Sequence, residues 1–221
     1  AAKQMVTADR IGEGRFGLNI VVGWNEDEFQ MFGVTQREHE QRYDYAQEWI
    51  EAVKMAWGPQ EDFEYSGKYI NLRKVRAKPK PYGGARPLIM NAGASPTGRA
   101  FAIRNCDAFF TNASRTSMED NAQRVKEAKD EASAQGRDLD VYTVGVVTCR
   151  RTQKEAEEYY HYATIENGDW SAVDGILAKK NLSVATVGEE EFQRQRHGYA
   201  HGMGGLIMVG YGWRAMFLVM G

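Results

Sequence analysis

Apolar runs of strand length alternate along the chain with stretches whose apolar positions recur at helical spacing. Residues 16–22 (FGLNIVV) read as one buried strand, which breaks at Gly23 into a tryptophan and three acids, Glu26, Asp27 and Glu28. From Arg42 to Trp57 the apolar positions Ala46, Trp49, Ile50, Val53 and Trp57 follow the i, i+3, i+4, i+7 rule, which predicts a helix with one buried face. Gly58-Pro59 stops it. Residues 63–75 alternate and predict a hairpin that turns at Ser66-Gly67, and Pro79, Pro81, Gly83 and Gly84 then mark a loop.

The same alternation continues. Residues 87–91 (PLIMN) predict a short buried strand, followed by a helix to about Asn105 and a strand at 108–111. Residues 117–135 predict a helix with Met118, Ala122, Val125, Ala128 and Ala132 on one face. A strand at 141–149 follows, and Thr152 with Glu155 forms a capping box that opens the next helix. Repeated strand–helix units imply parallel strands with helical crossovers, four of them here. With no Rossmann glycine fingerprint, an open doubly wound sheet and half of a (β/α)8 barrel both fit, and periodicity does not choose. Residues 167–201 show weak periodicity and read as a long irregular segment, functional or mobile. Gly202, Gly204 and Gly205 beyond it could hinge a lid or belong to a plain loop.

Composition narrows the class. Of 221 residues, 43% are hydrophobic and 26% charged, with a net charge of −2, an ordinary globular balance. Near-neutral charge argues against nucleic acid as a partner. The basic run 73–80 reads as a solvated hairpin. Residues 205–221 are apolar but hold Arg214 and are too short to span a bilayer comfortably. Cys106 and Cys149 lack metal spacing and read as buried free thiols, which with no leading signal peptide points to the cytoplasm.

Several residues could carry chemistry. A polar amide such as Asn19 inside a buried strand costs roughly 1–3 kcal/mol unless the protein or a ligand hydrogen-bonds it. Ser95-Pro96 is a strong helix start, and the small residues Gly93, Ala94 and Gly98 leave room for a ligand near the backbone. This is either an anion site at a helix N-terminus or a simple cap. Arg42 and Tyr43 can both donate to phosphate, or Arg42 can pair with Glu38 or Asp44. The acids 26–28 lie past a strand's C-terminal end, where parallel α/β folds place ligands, or form a solvated loop. The four histidines give no triad and no metal spacing, and no nucleophile elbow is present.

Four separated motifs, GRFGLNIVVGWNEDEFQMFG, HEQRYDYAQEW, FEYSGKYINL and NAGASPTGRAFA, occur in order and with family spacing. Over residues 1 to about 210 the chain resembles the bacterial luciferase-like flavin monooxygenases, in particular the pyrimidine, dimethylsulfone and alkanesulfonate monooxygenases. The resemblance implies a (β/α)8 TIM barrel of the luciferase-like type. It implies reduced FMN (FMNH2) as cosubstrate, molecular oxygen, a small organic substrate and a separate NAD(P)H-dependent flavin reductase, in a cytoplasmic homo-oligomer. The implied reaction runs through a flavin C4a-(hydro)peroxide that oxidises and cleaves a sulfone, sulfonate or pyrimidine-like compound. A flavin- or F420-dependent oxidoreductase and a non-catalytic flavin-binding subunit are the alternatives on the same fold.

Carried over by position, the family's flavin contacts fall on Asn19 in its fourth strand, Glu28, Arg42, Tyr43 and Ser95. Arg196 and His201, beside the lid-like residues 198–205, are candidates to touch substrate or peroxide. The chain opens on AAKQMVTADRI without an initiating methionine, and residues 211–221 (YGWRAMFLVMG) depart from the family's ending. Both features lead us to expect one luciferase-like domain incomplete at both ends, covering about strands 4 to 7, with a mobile insertion at 168–205 and an atypical tail at 211–221.

Overall fold

The computed structural model of the chain describes residues 1–93, 95–111, 118–143 and 148–198. They divide into two compact units, one spanning Ala1–Thr143 and one containing the described residues 148–198.

The first unit opens with α1 (Ala2–Ile11), β1 (Gly17–Ile20), the short α2 (Glu26–Met31) and the long α3 (His39–Trp57). The hairpin β2 (Asp62–Ser66) and β3 (Asn71–Arg76) precedes β4 (Leu88–Asn91), α4 (Pro96–Asn105), β5 (Ala108–Phe110), α5 (Met118–Ala134) and β6 (Asp140–Tyr142). Strands β1, β4, β5 and β6 form a parallel sheet in that order, while β2 and β3 pair only with each other. Each crossover adds its strand on the same side, so the winding never reverses among the described residues. A doubly wound sheet requires such a reversal and a barrel forbids it, which favours the barrel alternative. The described sheet is open, with β1 and β6 at its edges.

The core lies between the sheet and its helices. Ala46, Ile50, Val53 and Trp57 of α3, Phe101, Ala102 and Ile103 of α4, and Ala128 and Ala132 of α5 close over Ile89 and Val141. Cys106 is buried here, and burial pushes its thiol up to about 12, leaving it uncharged. Cys149, read from the sequence as buried, is exposed.

Other differences from the sequence reading have local causes. The strand expected at 16–22 is limited to Gly17–Ile20, and only Ile20 is buried. As an edge strand it has a neighbour on one side alone, so Asn19 is exposed and Val21 is 68% exposed. The acids 26–28 are the first turn of α2, where negative side chains oppose the positive end of the helix dipole. The hairpin does not turn at two residues: the Glu48 carboxylate on α3 accepts the backbone N–H groups of Lys68, Tyr69 and Ile70, which stabilises a longer loop. The strand expected at 141–149 ends at Tyr142, and residues 144–147 lie outside the described set.

The second unit begins with α6 (Gln153–His161), whose N-cap Thr152 accepts the Glu155 N–H as expected. The Glu155 carboxylate takes the N–H of Arg151 in place of that of Thr152. A π-helical turn (Tyr162–Glu166), α7 (Trp170–Lys179) and α8 (Val184–Val187) follow, then helical residues 189–198. The expected irregular segment is therefore mostly helical where described, with residues 167–169, 180–183 and 188 between the helices. Asp169 caps α7, and Val173 and Leu177, one turn apart, form a small core with Trp170, Leu182 and Phe192. Residues 199–221, with the hinge glycines, His201 and the tail, lie outside the described residues. Among the described residues no helix is long and apolar enough to cross a membrane.

Candidate functional site

The C-terminal ends of β1 and β4 are level, because Ile20 pairs with Asn91. Asn91 is 2% exposed; its Nδ2 donates to the Ile20 carbonyl at 2.7 Å, and its Oδ1 accepts the Gly93 N–H at 2.8 Å. One amide thus ties the neighbouring strand to the turn that leads into α4. That turn is tight against α3. A methyl group at Gly93 would lie 2.7 Å from the Tyr43 hydroxyl, and one at Gly98 would lie 2.5 Å from it, so both positions require glycine.

Ser95 caps α4, its Oγ accepting the Gly98 N–H at 3.1 Å, with Pro96 at the first helical position. On its other side the Ser95 Oγ lies 3.2 Å from Nε2 of His39, at the start of α3. His39 Nδ1 is 2.9 Å from the Glu40 carboxylate, which also accepts the Thr97 hydroxyl at 3.0 Å. Hydrogen bonds from His39 and Thr97 hold the Glu40 carboxyl below the usual carboxylate range. Tyr43 stacks between His39 and Phe101, with ring centroids 5.1 and 5.6 Å away.

Beside this arrangement lies a cavity of about 450 Å³ lined by Asn19, Val21, Val22, Phe29, Arg37, Arg42 and Trp49, among others. Its size falls within the roughly 300–1,000 Å³ of small-molecule and cofactor sites, and it combines mostly apolar walls with a few polar groups. Arg42 donates through one terminal nitrogen to the Arg37 carbonyl at 2.6 Å. The Nε of Arg42 is buried without a hydrogen-bond partner, as is the side-chain nitrogen of Gln36. Of these two residues only Arg42 lines the cavity, and an unpaired buried donor there suits an anionic or carbonyl-bearing ligand. The Arg37 guanidinium lies over the Tyr45 ring, 4.8 Å from its centroid.

Asn19 and Arg42 therefore line one cavity, and Tyr43 and Ser95 flank the β4–α4 turn at the same end of the sheet. Glu28 is exposed on α2 and accepts from Asn25 at 3.1 Å, while its neighbour Phe29 reaches the cavity. Arg196 belongs to the second unit, where it makes two hydrogen bonds to Asp174 and lies over the Trp170 ring. Sequence reasoning missed Gln36, Arg37, His39 and Asn91. Only Asn91 carries a local signal, a polar residue closing an apolar strand just before a glycine turn.

The Luciferase-like monooxygenase family model matches residues 1–206. The chain is 33% identical over 187 residues to an FMNH(2)-dependent dimethylsulfone monooxygenase of Pseudomonas putida, covering 84% of this chain and 50% of that protein. It is 30% identical over 197 residues to pyrimidine monooxygenase RutA of Allorhizobium ampelinum, covering 84% of this chain and 53% of that protein. The chain spans about half the length of the curated relatives it matches. Among solved structures, DmoA from Hyphomicrobium sulfonivorans superimposes with a TM-score of 0.71 at 21% identity, over 84% of this chain and 45% of that one. That likeness shows an α/β fold of the luciferase-like barrel type, and the chain belongs to the luciferase-like monooxygenase family.

Proposed function

We propose that the protein carrying this chain is an FMNH2-dependent monooxygenase that uses O2 to oxidise and cleave a small organic substrate. A sulfone, a sulfonate or a pyrimidine-like ring is the substrate class, and a separate NAD(P)H-dependent reductase in the cytoplasm supplies the reduced flavin. The observation that carries this reading is the unpaired, buried Nε of Arg42 in a cavity that Asn19 also lines, beside the Ser95-capped helix.

The residues present fit FMN. Arg42 is a donor suited to a phosphate, and the N-terminal end of α4 presents the positive end of its dipole to an anion. Asn19 offers an amide to the polar edge of a flavin ring, while Val21, Val22, Phe29 and Trp49 supply apolar walls that exclude water. Bound reduced FMN supplies the electrons and the oxygen-activating chemistry, and the protein's part is binding, orientation and exclusion of solvent. Arg196 and His201 remain the candidates for substrate contact.

The test is a flavin titration of the full-length protein. It should bind FMN at a saturable site, and Ser95→Ala should weaken FMN more than riboflavin, which lacks the phosphate. A hydrogen bond to a charged group is worth roughly 1.5–3 kcal/mol, so the FMN affinity should fall about tenfold or more. Equal weakening of both flavins would reduce Ser95 to a helix cap. Substrate-dependent oxygen uptake in the presence of a reductase separates a monooxygenase from a hydride-transferring or non-catalytic relative.

A further inference from the structure

The hydrogen-bond inventory around Ser95 leads to a requirement at the phosphate site. We infer that His39 must be protonated for Ser95 to donate to a phosphate monoester, so that FMN binds together with a proton. The inference rests on the flavin reading above.

Glu40 accepts only, because hydrogen bonds from His39 and Thr97 favour its ionised form. The His39 Nδ1, 2.9 Å from that carboxylate, must therefore carry its hydrogen. In the neutral imidazole the other nitrogen is then bare. Ser95 Oγ lies 3.2 Å from this bare Nε2 and already accepts the Gly98 N–H. The hydroxyl hydrogen of Ser95 is thus directed at His39, and towards a phosphate the serine presents only its remaining lone pair. Two acceptors facing each other repel.

A proton on His39 reverses this. Nε2–H becomes a donor to Ser95 Oγ, the serine hydrogen is free to turn to the phosphate, and an imidazolium stands beside the anion. Among the described residues, the titratable and charged groups facing His39 are Glu40 and Tyr43 on its own helix. Helix α4 contributes only the uncharged Ser95 and Thr97. The His39 side chain is 43% exposed, so the proton comes from solvent and no buried charge is left in the unbound protein. Riboflavin gains nothing from the proton because it carries no phosphate.

The sign of the linkage follows. A bound phosphate favours the protonated form of His39, so the histidine's contribution to FMN binding is largest in acid and falls as pH rises. The phosphate's own second ionisation, near about 6, works in the opposite direction. The variant His39→Gln isolates the histidine, since glutamine is uncharged and fits an exposed first helical turn.

The experiment is calorimetric titration of the full-length protein with FMN and with riboflavin, near neutral pH, in two buffers of different ionisation enthalpy. Wild type should take up about one proton more with FMN than His39→Gln does, and no such difference should appear with riboflavin. His39→Gln should lose about tenfold in FMN affinity below pH 6 and little above pH 8. FMN binding that is preferred over riboflavin, sensitive to Ser95→Ala and yet identical in proton count between wild type and His39→Gln would overturn this inference and leave the flavin site standing. Absence of any preference for FMN over riboflavin would overturn both.

Discussion

Strands β1 and β4 run side by side, each with an asparagine near its C-terminal end, and the two amides occupy opposite environments. Asn91 is buried in an interior strand, and both its donor and its acceptor are used by the protein itself, on Ile20 and Gly93. Asn19 is exposed on an edge strand and lines the cavity, and among the described residues its side chain has no hydrogen-bond partner. An amide satisfied from within builds the site. An amide with nothing internal to bond is free to read a ligand. The same contrast holds at the other end of β4, where the Asp107 carboxylate accepts the Ile89 N–H and pairs with Arg86, whereas among the described residues β1 has no comparable anchor.

Removing Asn91 should have the largest effect on stability. Asn91→Ala leaves the Ile20 carbonyl and the Gly93 N–H without their partner in a buried setting, at roughly 1–3 kcal/mol each. A loss of about 2–4 kcal/mol is expected, read as a lower urea midpoint of the full-length protein. Flavin affinity should fall as well, because the turn that presents Ser95 loses its tie to β1. A midpoint within error of wild type would show that Asn91 is no more structural than Asn19, and the contrast would collapse.

Asp107 tests the other anchor, with a smaller effect. Burial alone would raise its pKa, but the Arg86 hydrogen bonds and the Ile89 N–H outweigh burial and hold it below the ordinary value. A depressed folded-state pKa contributes stability above the unfolded value of about 3.9, and that contribution is lost as pH falls through the folded value. Asp107→Asn should therefore destabilise by about 1–2 kcal/mol at neutral pH, since the pair is partly exposed and screened. The difference from wild type should shrink in acid. An equal difference at pH 7 and pH 3 would assign the effect to packing instead of charge.

Where the sequence reading succeeded, the information was local. The spacing of Ala46, Ile50, Val53 and Trp57 is the buried face of α3, and Ser95-Pro96 is the cap of α4. Four parallel strands follow from alternation alone. The reading failed where burial depends on distant neighbours. FGLNIVV is apolar enough for an interior strand, but its position at a sheet edge is decided by other segments. The helix α7 was missed because Val173 and Leu177 are two anchors in ten residues, with Gly175 between them. The pairing of His39 with Ser95 joins residues 56 positions apart, which no periodicity reports.

The smallest expected effect on stability, and the sharpest test of the contrast, belongs to Asn19. Because the side chain is exposed and unpaired, Asn19→Ala removes no internal hydrogen bond and opens no core cavity. Surface changes of this kind fall within about 0.5 kcal/mol, so the urea midpoint should barely move. Its effect on flavin should also differ from that of Ser95→Ala. An amide facing the ring serves FMN and riboflavin alike, and losing one neutral hydrogen bond, about 0.5–1.5 kcal/mol, weakens both by a similar factor of about two to ten. Unchanged affinity for both flavins would remove Asn19 from the site. A large loss of stability would mean that the amide has a structural partner after all, and β1 and β4 would then use their asparagines in the same way.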